Sequence, residues 1–388
     1  MIKASVARIG IIGCGNISQA YLTLSNLFAG LEIAAVADIV PAVAEARAKQ
    51  FSLPSLSVDE MLKNDEIDAI INLTVPDAHF AVSLDVLSAG KHAYSEKPLS
   101  LNYADASRLA DEADRRGLKL GAAPDTFLGG AGQTARRLLD AGTIGRVIAG
   151  TAHVMSHGME HWHPNPAFFY QPGGGPIFDM GPYYLAALIN LIGPVEAVVA
   201  AASKGFDHRL VTAAPNSGAR IAVTTPTTIN AVLEFRSGAQ VTLGASWDVW
   251  RHGHQNPIEL YGAEGTMLLP DPNFFSGSIA YSNRGGDYSS VDSSRAPFGA
   301  ANWPPAPATA SGANYRMLGV ADLIDAIVHG REPRCSGRLA AHVVEIMESI
   351  LVAASERRRV ALRSAVERPP PLQAVDAGRL TKVSAAGA

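Results

Sequence analysis

The segment Gly10-Ile11-Ile12-Gly13-Cys14-Gly15-Asn16-Ile17-Ser18 constrains this chain more than any other. Val6 to Ile12 reads as a strand, and Ile17, Ala20, Tyr21, Leu24 and Leu27 recur behind it at helical spacing. Glycines at the junction permit a tight strand-to-helix turn whose backbone can approach an anion at the helix N-terminus. Such an opening commits the chain to a parallel sheet covered by helices, and the residues up to Asp125 keep that rhythm. Further strands are expected at Leu31–Ala37, Ile67–Leu73, His92–Tyr94 and Leu118–Ala122. Between them fall a helix opened by Pro41, one with Phe80, Leu84 and Leu87 on a face, and one capped by Asn102 that stops near Gly117.

Past residue 126 the rhythm changes. A helix is expected around Ala131–Ala141, then a strand at Val147–Val154. Ile229–Phe235 and Gln240–Trp250 read as antiparallel neighbours across Ser237-Gly238, and Ile258–Tyr261 with Thr266–Leu269 as another hairpin. Residues 270–314, rich in Gly, Ser, Asn and Pro, are expected to be loops, followed by helices over Tyr315–His329 and Leu339–Ala354. The fold expected is an α/β Rossmann domain with a parallel sheet over residues 1–126, then a substrate-binding and oligomerisation α+β domain over 127–365. That second domain would contain a large, mainly antiparallel open sheet, with a late helix packing back on the Rossmann domain and a mobile tail over 366–388.

The 388 residues are enough for two substantial cores. A net charge of −4 and a pI near 6.3, with no long basic run, give no footprint for nucleic acid or an anionic membrane surface. The apolar stretch Tyr183–Ala202 is broken by Gly193-Pro194 and Glu196, so it does not read as a membrane span. The N-terminus lacks the cationic and apolar regions of a signal peptide. With only Cys14 and Cys335, and Cys14 inside the glycine turn, a structural disulfide is not expected and a reducing cytoplasm fits best.

The glycine turn reads as a dinucleotide site. Gly13 allows the turn, Gly15 the approach of a pyrophosphate, and Asn16 and Ile17 open the helix that receives it, with small Ser18 at the third position. Asp38, 25 residues after Gly13 at the end of the second strand, can accept both ribose hydroxyls. Ile39 and Val40 follow it rather than a cation, so a 2′-phosphate would lack a counter-charge and NAD is favoured over NADP. Thr74 and Pro76 end the third strand where ligands of open α/β sheets bind, and His79 opens the next helix as a further cofactor contact. Ser95-Glu96-Lys97-Pro98 closes the series: Lys97 would face the nicotinamide and the substrate, and Glu96 would steady the loop or the cofactor.

Together with GGGPIFDMGPYY at 173–184, SEKPLS at 95–100 and the closing helical section from Tyr315, these motifs resemble the glucose–fructose oxidoreductase/inositol dehydrogenase/rhizopine catabolism (Gfo/Idh/MocA) family. The resemblance covers nearly the whole chain. It implies that Lys97 is paired with a second-domain motif of the form Asp-x-Gly-x-His, here Asp179-Met180-Gly181-Pro182-Tyr183. Tyrosine thus stands where histidine is common, as in the branch resembling glucose–fructose oxidoreductase.

The chemistry agrees with the residues. Oxidising a secondary alcohol removes a hydroxyl proton as hydride leaves the same carbon, and a lysine or tyrosine within reach can take that proton. The positive nicotinamide disfavours the ammonium form of Lys97, and Lys97 favours the phenolate of Tyr183, so the two could share one proton. Asp179, four residues before Tyr183, would share its helical face and bond the same substrate if the helix is continuous. His161, Trp162 and His163 have the composition of a sugar-binding loop, Asp125 would point toward the ligand, and Trp250, Arg251, His252 and His254 could continue a polar wall. His153, His157, His161 and His163 do not have metal-ligand spacing, so no metal is expected. Gly173-Gly174-Gly175 suits close backbone approach to a ligand or a tight loop entry.

The resulting expectation is an NAD-dependent dehydrogenase of a secondary alcohol or hemiacetal carbon in a neutral sugar, sugar derivative or polyol. It would form a homodimer or homotetramer through the C-terminal sheet, without nucleic-acid or membrane partners. Two alternatives remain open: an NAD-retaining glycoside-cleaving or sugar oxidoreductase with no net NADH release, and a non-catalytic sugar-sensing regulator.

Overall fold

β1 (Ala7–Ile12) is buried along nearly its whole length, as a strand covered on both faces must be. It leads through the glycine turn into α1 (Asn16–Leu24), β2 (Leu31–Ala37) and α2 (Pro41–Phe51). A short α3 (Val58–Lys63), not expected from the sequence, is nucleated by a capping box in which Ser57 and Glu60 satisfy each other's backbone N–H groups. β3 (Ala69–Asn72), α4 (Pro76–Ser88), β4 (His92–Ser95), α5 (Tyr103–Arg116) and β5 (Leu120–Ala122) complete the series. The five strands are parallel in the order β2-β1-β3-β4-β5. The chain therefore reverses its direction of travel between β1 and β3, which is where open α/β sheets bind ligands.

The computed structural model describes residues 6–303 and 312–382. It forms two compact units: the described residues within 1–128, 315–341 and 369–388, and those within 129–314 and 342–368. The second unit begins with α6 (Gly130–Asp140), β6 (Val147–Met155), α7 (Gly175–Asp179), α8 (Gly181–Ile192) and β7 (Val195–Ser203). A two-stranded ribbon, β8 (His208–Leu210) with β9 (Arg220–Ala222), precedes β10 (Thr228–Phe235), β11 (Gln240–Ser246), β12 (Ile258–Gly262) and β13 (Gly265–Leu269). β14 (Ser278–Asn283) and β15 (Ser289–Asp292) extend the main sheet. Its order is β15-β14-β13-β12-β6-β11-β10-β7, antiparallel except where β6 and β11 run parallel.

Ile229, Ala231, Leu233 and Phe235 alternate inward along β10, the period of a half-covered strand. Trp247, expected inside the preceding strand, instead lies beyond its end and fills a core of Met159, Phe169, Tyr170 and Val223. The loops expected over 270–314 are corrected for β14 and β15, whose serines conceal a strand anchored by buried Ile279; residues 304–311 of that expectation lie outside the described residues.

α9 (Leu318–His329) packs on β5 in the first unit. α10 (Gly337–Glu356) follows, and β16 (Val360–Ala361) pairs with β7. α11 (Ala374–Leu380) belongs to the first unit although 366–388 was expected to be a mobile tail; residues 383–388 of that expectation lie outside the described residues. Buried Ala377 and Leu380 hold it, with ion pairs from Arg334 to Asp376 and from Arg379 to Asp325. Among the described residues no helix is long and apolar enough to cross a membrane.

Candidate active site

The turn after β1 is built for close approach. Gly13 has φ +101°, and a Cβ there would lie 2.5 Å from the Leu73 carbonyl carbon at the end of β3. Gly15 caps α1 without a side-chain cap, and a Cβ on it would meet nothing within 4 Å. The open N-terminus, with Asn16 and Ile17 in its first turn, presents backbone N–H groups and a positive dipole end to an anion. Ser18 is wholly buried and donates to Gly15 O at 2.6 Å, so the small third position is used for packing. Asp38 accepts the N–H of Cys14 at 2.8 Å through one carboxylate oxygen and that of Val40 at 2.9 Å through the other. The carboxylate is thus locked beside the turn, with a lone pair on each oxygen left for ribose hydroxyls. These residues fit NAD.

Arg47 escaped the sequence reading. From α2 it reaches back to donate to Gly15 O at 3.1 Å and Cys14 O at 3.3 Å, so a cation braces the same turn. Its only signal was position, three residues after buried Ala44.

At the end of β3, Asn72 Oδ1 accepts from the Thr74 hydroxyl at 2.6 Å, and Pro76 starts α4. His79 is not an open cofactor contact. Its buried ring lies between two carbonyls, Nδ1 2.7 Å from Pro98 O and Nε2 3.0 Å from Thr74 O. Burial holds its pKa below the ordinary histidine value, and a neutral imidazole donates to one of those carbonyls at a time. His79 therefore ties the Thr74 turn to the Lys97-Pro98 loop.

Lys97 is half-buried after β4. Its own N–H donates to Glu96 Oε2 at 2.8 Å, while Tyr21 donates to Glu96 Oε1 at 2.9 Å. Asp125, expected to point toward a ligand, is 2% exposed and accepts the N–H of Gly319 at the start of α9. Burial pushes its carboxyl up to about 6.

In the second unit Asp179 ends α7 and Tyr183 lies in the first turn of α8, with a break at Met180. The condition for a shared helical face, one helix already begun at Asp179, is not met: Pro182 has no N–H to donate to Phe178 O, so the ladder cannot run through. Asp179 is half-buried and Tyr183 8% exposed. The preceding glycines approach their own chain, since a Cβ on Gly174 would lie 2.4 Å from Phe168 O.

A cavity of about 680 Å³ in this unit gathers His157, His161, Arg209, Trp250, Arg251 and His252. His161 thereby joins part of the second expected polar wall. Trp162 is 58% exposed outside the lining, and His163 packs edge-on against Phe168 and Phe169. Below the cavity Arg209 is buried and spent on Glu160 at 2.8 Å, Asp248 at 3.1 Å and the carbonyls of His157 and Trp247. Its charge is paired, which leaves Arg251 together with aromatic and imidazole groups as the ligand-facing surface. His157 stacks on Trp250 at 3.3 Å and His153 on His254 at 3.6 Å. Among the described residues no group of three or more His, Cys, Asp or Glu could hold a metal ion.

Comparison with known proteins agrees with this geometry. Residues 7–123 match the model for the oxidoreductase family, NAD-binding Rossmann fold, and residues 133–268 that for the GFO/IDH/MocA C-terminal domain. The first unit thus carries an NAD-binding Rossmann domain. An uncharacterised oxidoreductase of Schizosaccharomyces pombe is 28% identical over 146 residues, covering 37% of this chain and 38% of that protein, well under half of its length. The dTDP-3,4-didehydro-2,6-dideoxy-alpha-D-glucose 3-reductase of Saccharopolyspora spinosa is 27% identical over 267 residues, 68% of this chain and 74% of that one. In fold, the chain is similar to levoglucosan dehydrogenase in its complex with NADH and L-sorbose. The TM-score is 0.79 at 19% identity, over 93% of this chain and 100% of the other.

Proposed function

The chain belongs to the GFO/IDH/MocA family of NAD-binding oxidoreductases, and from that premise we propose that it oxidises a secondary alcohol or hemiacetal carbon of a neutral sugar, sugar derivative or polyol. The observation that carries this reading is the Lys97 loop, tied by Glu96 and His79 to the end of the NAD-binding sheet. The names of the similar proteins, a deoxysugar reductase and a levoglucosan dehydrogenase, favour a sugar.

NAD⁺, when bound, supplies the hydride acceptor. The chain's own residues then have one task at the reacting carbon: to hold the hydroxyl and take its proton. Lys97 and Tyr183 are the acid/base groups in this reading, and Asp179 orients the hydroxyl as an acceptor. On the cofactor side Gly13, Gly15, Asn16, Ile17 and Asp38 bind the dinucleotide. Thr74 and Pro76 line it, and Glu96 and His79 set the loops. His161, in the cavity wall, contributes to sugar binding. A neutral substrate is the reading for a wall in which aromatic and imidazole groups predominate, with Arg209 paired to Glu160 and Asp248 and Arg251 the exposed guanidinium. The two free cysteines suit a reducing cytoplasm, and the sheet, with Ile148 and Val199 exposed, supplies a face for a homodimer or homotetramer.

The test is NADH absorbance on mixing the protein and NAD⁺ with a panel of neutral sugars and polyols. Lys97→Met is expected to lower kcat by about 1,000-fold while NAD⁺ affinity stays within about threefold. Near-normal turnover in that variant sinks the assignment. Tight NAD⁺ binding with no turnover of any sugar would instead favour the cofactor-retaining alternative.

A further inference from the structure

We propose that Tyr21 is a positioning residue through which α1, the helix opened by the NAD turn, holds the backbone of Lys97. The inference rests on the reading of Lys97 as the proton-handling lysine. Tyr21 lies on α1, is wholly buried, and donates its hydroxyl to Glu96 Oε1 at 2.9 Å. The other oxygen of the same carboxylate accepts the N–H of Lys97 at 2.8 Å. The backbone N–H of Glu96 is fixed in turn by Asn72 O at 2.8 Å, at the end of β3. Glu96 therefore joins three parts: its carboxylate bonds the cofactor helix and the lysine, and its own N–H bonds the central sheet.

A phenylalanine would fill the Tyr21 site equally well, so the hydroxyl serves its bond to Glu96. The cluster also holds the buried Asp125, which interacts with both Tyr21 and Glu96, and Arg316 as its countercharge. Without the hydroxyl, Glu96 Oε1 loses its donor, and the carboxylate is no longer held with its other oxygen on the Lys97 N–H. α1 carries both ends of the device. Its N-terminus receives the cofactor phosphates, and Tyr21, on the second turn, reaches Glu96.

The experiment compares wild type, Tyr21→Phe, Glu96→Gln and Lys97→Met. One readout needs no substrate: reductive methylation of Lys97 by formaldehyde and cyanoborohydride, followed by peptide mass spectrometry with and without NAD⁺. NAD⁺ is expected to change Lys97 labelling severalfold in wild type and much less in Tyr21→Phe and Glu96→Gln. With a sugar that turns over, Tyr21→Phe is expected to lower kcat about tenfold while KM for NAD⁺ stays within about twofold. Wild-type labelling response and kcat in both Tyr21→Phe and Glu96→Gln overturn the inference. So does a loss that only follows weaker NAD⁺ binding or a lower Tm, which marks a structural role. If Lys97→Met abolishes turnover while Tyr21→Phe is neutral, the inference falls and the Lys97 reading stands. If Lys97→Met still turns over, both fall.

Discussion

Two glycine-rich segments, one in each unit, look alike in sequence and are used in opposite ways. In the first, Gly13 presses its backbone against Leu73 while Gly15 keeps open space around it. In the second, Gly174 is closed in by the carbonyls of Phe168 and Phe169, its own chain. A glycine cluster thus marks a ligand site only where one of its glycines remains uncovered. The largest effect that tests this contrast belongs to Gly13. Alanine there must hold φ near +101° with its Cβ about 2.5 Å from backbone atoms that cannot swing aside. Gly13→Ala is expected to cost about 4 kcal/mol, from the left-handed conformation and overpacking together, and to abolish NAD⁺ binding. Urea unfolding and NAD⁺ titration measure both; a stable variant that binds NAD⁺ normally would remove the steric account of the turn.

Two buried groups, one in each unit, respond to acid in opposite senses. In the first, burial raises the carboxyl of Asp125 to about 6. In the second, burial lowers His342 to about 4, while its Nε2 accepts the N–H of Val195 and its Nδ1 lies 2.6 Å from Ser364 Oγ. Between about pH 4 and 6 the folded chain keeps the Asp125 proton that the unfolded chain has lost, so this residue's contribution falls as pH rises through that window. His342 runs the other way: the unfolded chain binds its proton below about 6.5 and the folded chain only near 4, so stability is lost as pH falls through that interval. Each is worth roughly 3 kcal/mol across its window, and the two oppose each other, with buried His92, also near 4, acting in the same sense as His342. Between about pH 4.5 and about pH 6, Asp125→Asn should therefore make stability rise more steeply with pH than in wild type, and His342→Gln should make it rise less steeply or fall. Unchanged pH slopes in both variants would count against the assigned burial effects.

The units were unequally legible in sequence, for physical reasons. β1, β2, α5 and the glycine turn follow from local pattern and caps, because each is specified by residues a few positions apart. Tyr21 and Glu96 stand 75 residues apart, and nothing in either neighbourhood indicates that they meet. His79 was recognisable as lying near the cofactor turn, but its commitment to Thr74 O and Pro98 O depends on how two loops converge. Asp125 sits at the expected strand end yet turns inward, because Gly319 from a helix far along the chain supplies its donor. In the second unit the break between α7 and α8 could have been read from Pro182; the spacing of Asp179 and Tyr183 suggested one helix instead. β14 and β15 were concealed by their serines, whose composition signals loops even where one isoleucine anchors a strand.

The smallest effects return to the two glycine segments and separate stability from binding. Gly174→Ala is expected to cost about 2 kcal/mol by overpacking against Phe168 and Phe169 while leaving NAD⁺ affinity unchanged. Gly15→Ala should do the reverse. Its Cβ enters open space, so the fold loses no more than about 1 kcal/mol from the poorer N-cap, but the methyl group stands where a pyrophosphate would approach α1. A loss of about tenfold in NAD⁺ affinity, close to 1.4 kcal/mol, is expected. Thermal melts and NAD⁺ titration of the two variants place them on different axes. If Gly15→Ala bound NAD⁺ as wild type does, the uncovered glycine would be a feature of the turn alone, and the contrast between the segments would lose its functional meaning.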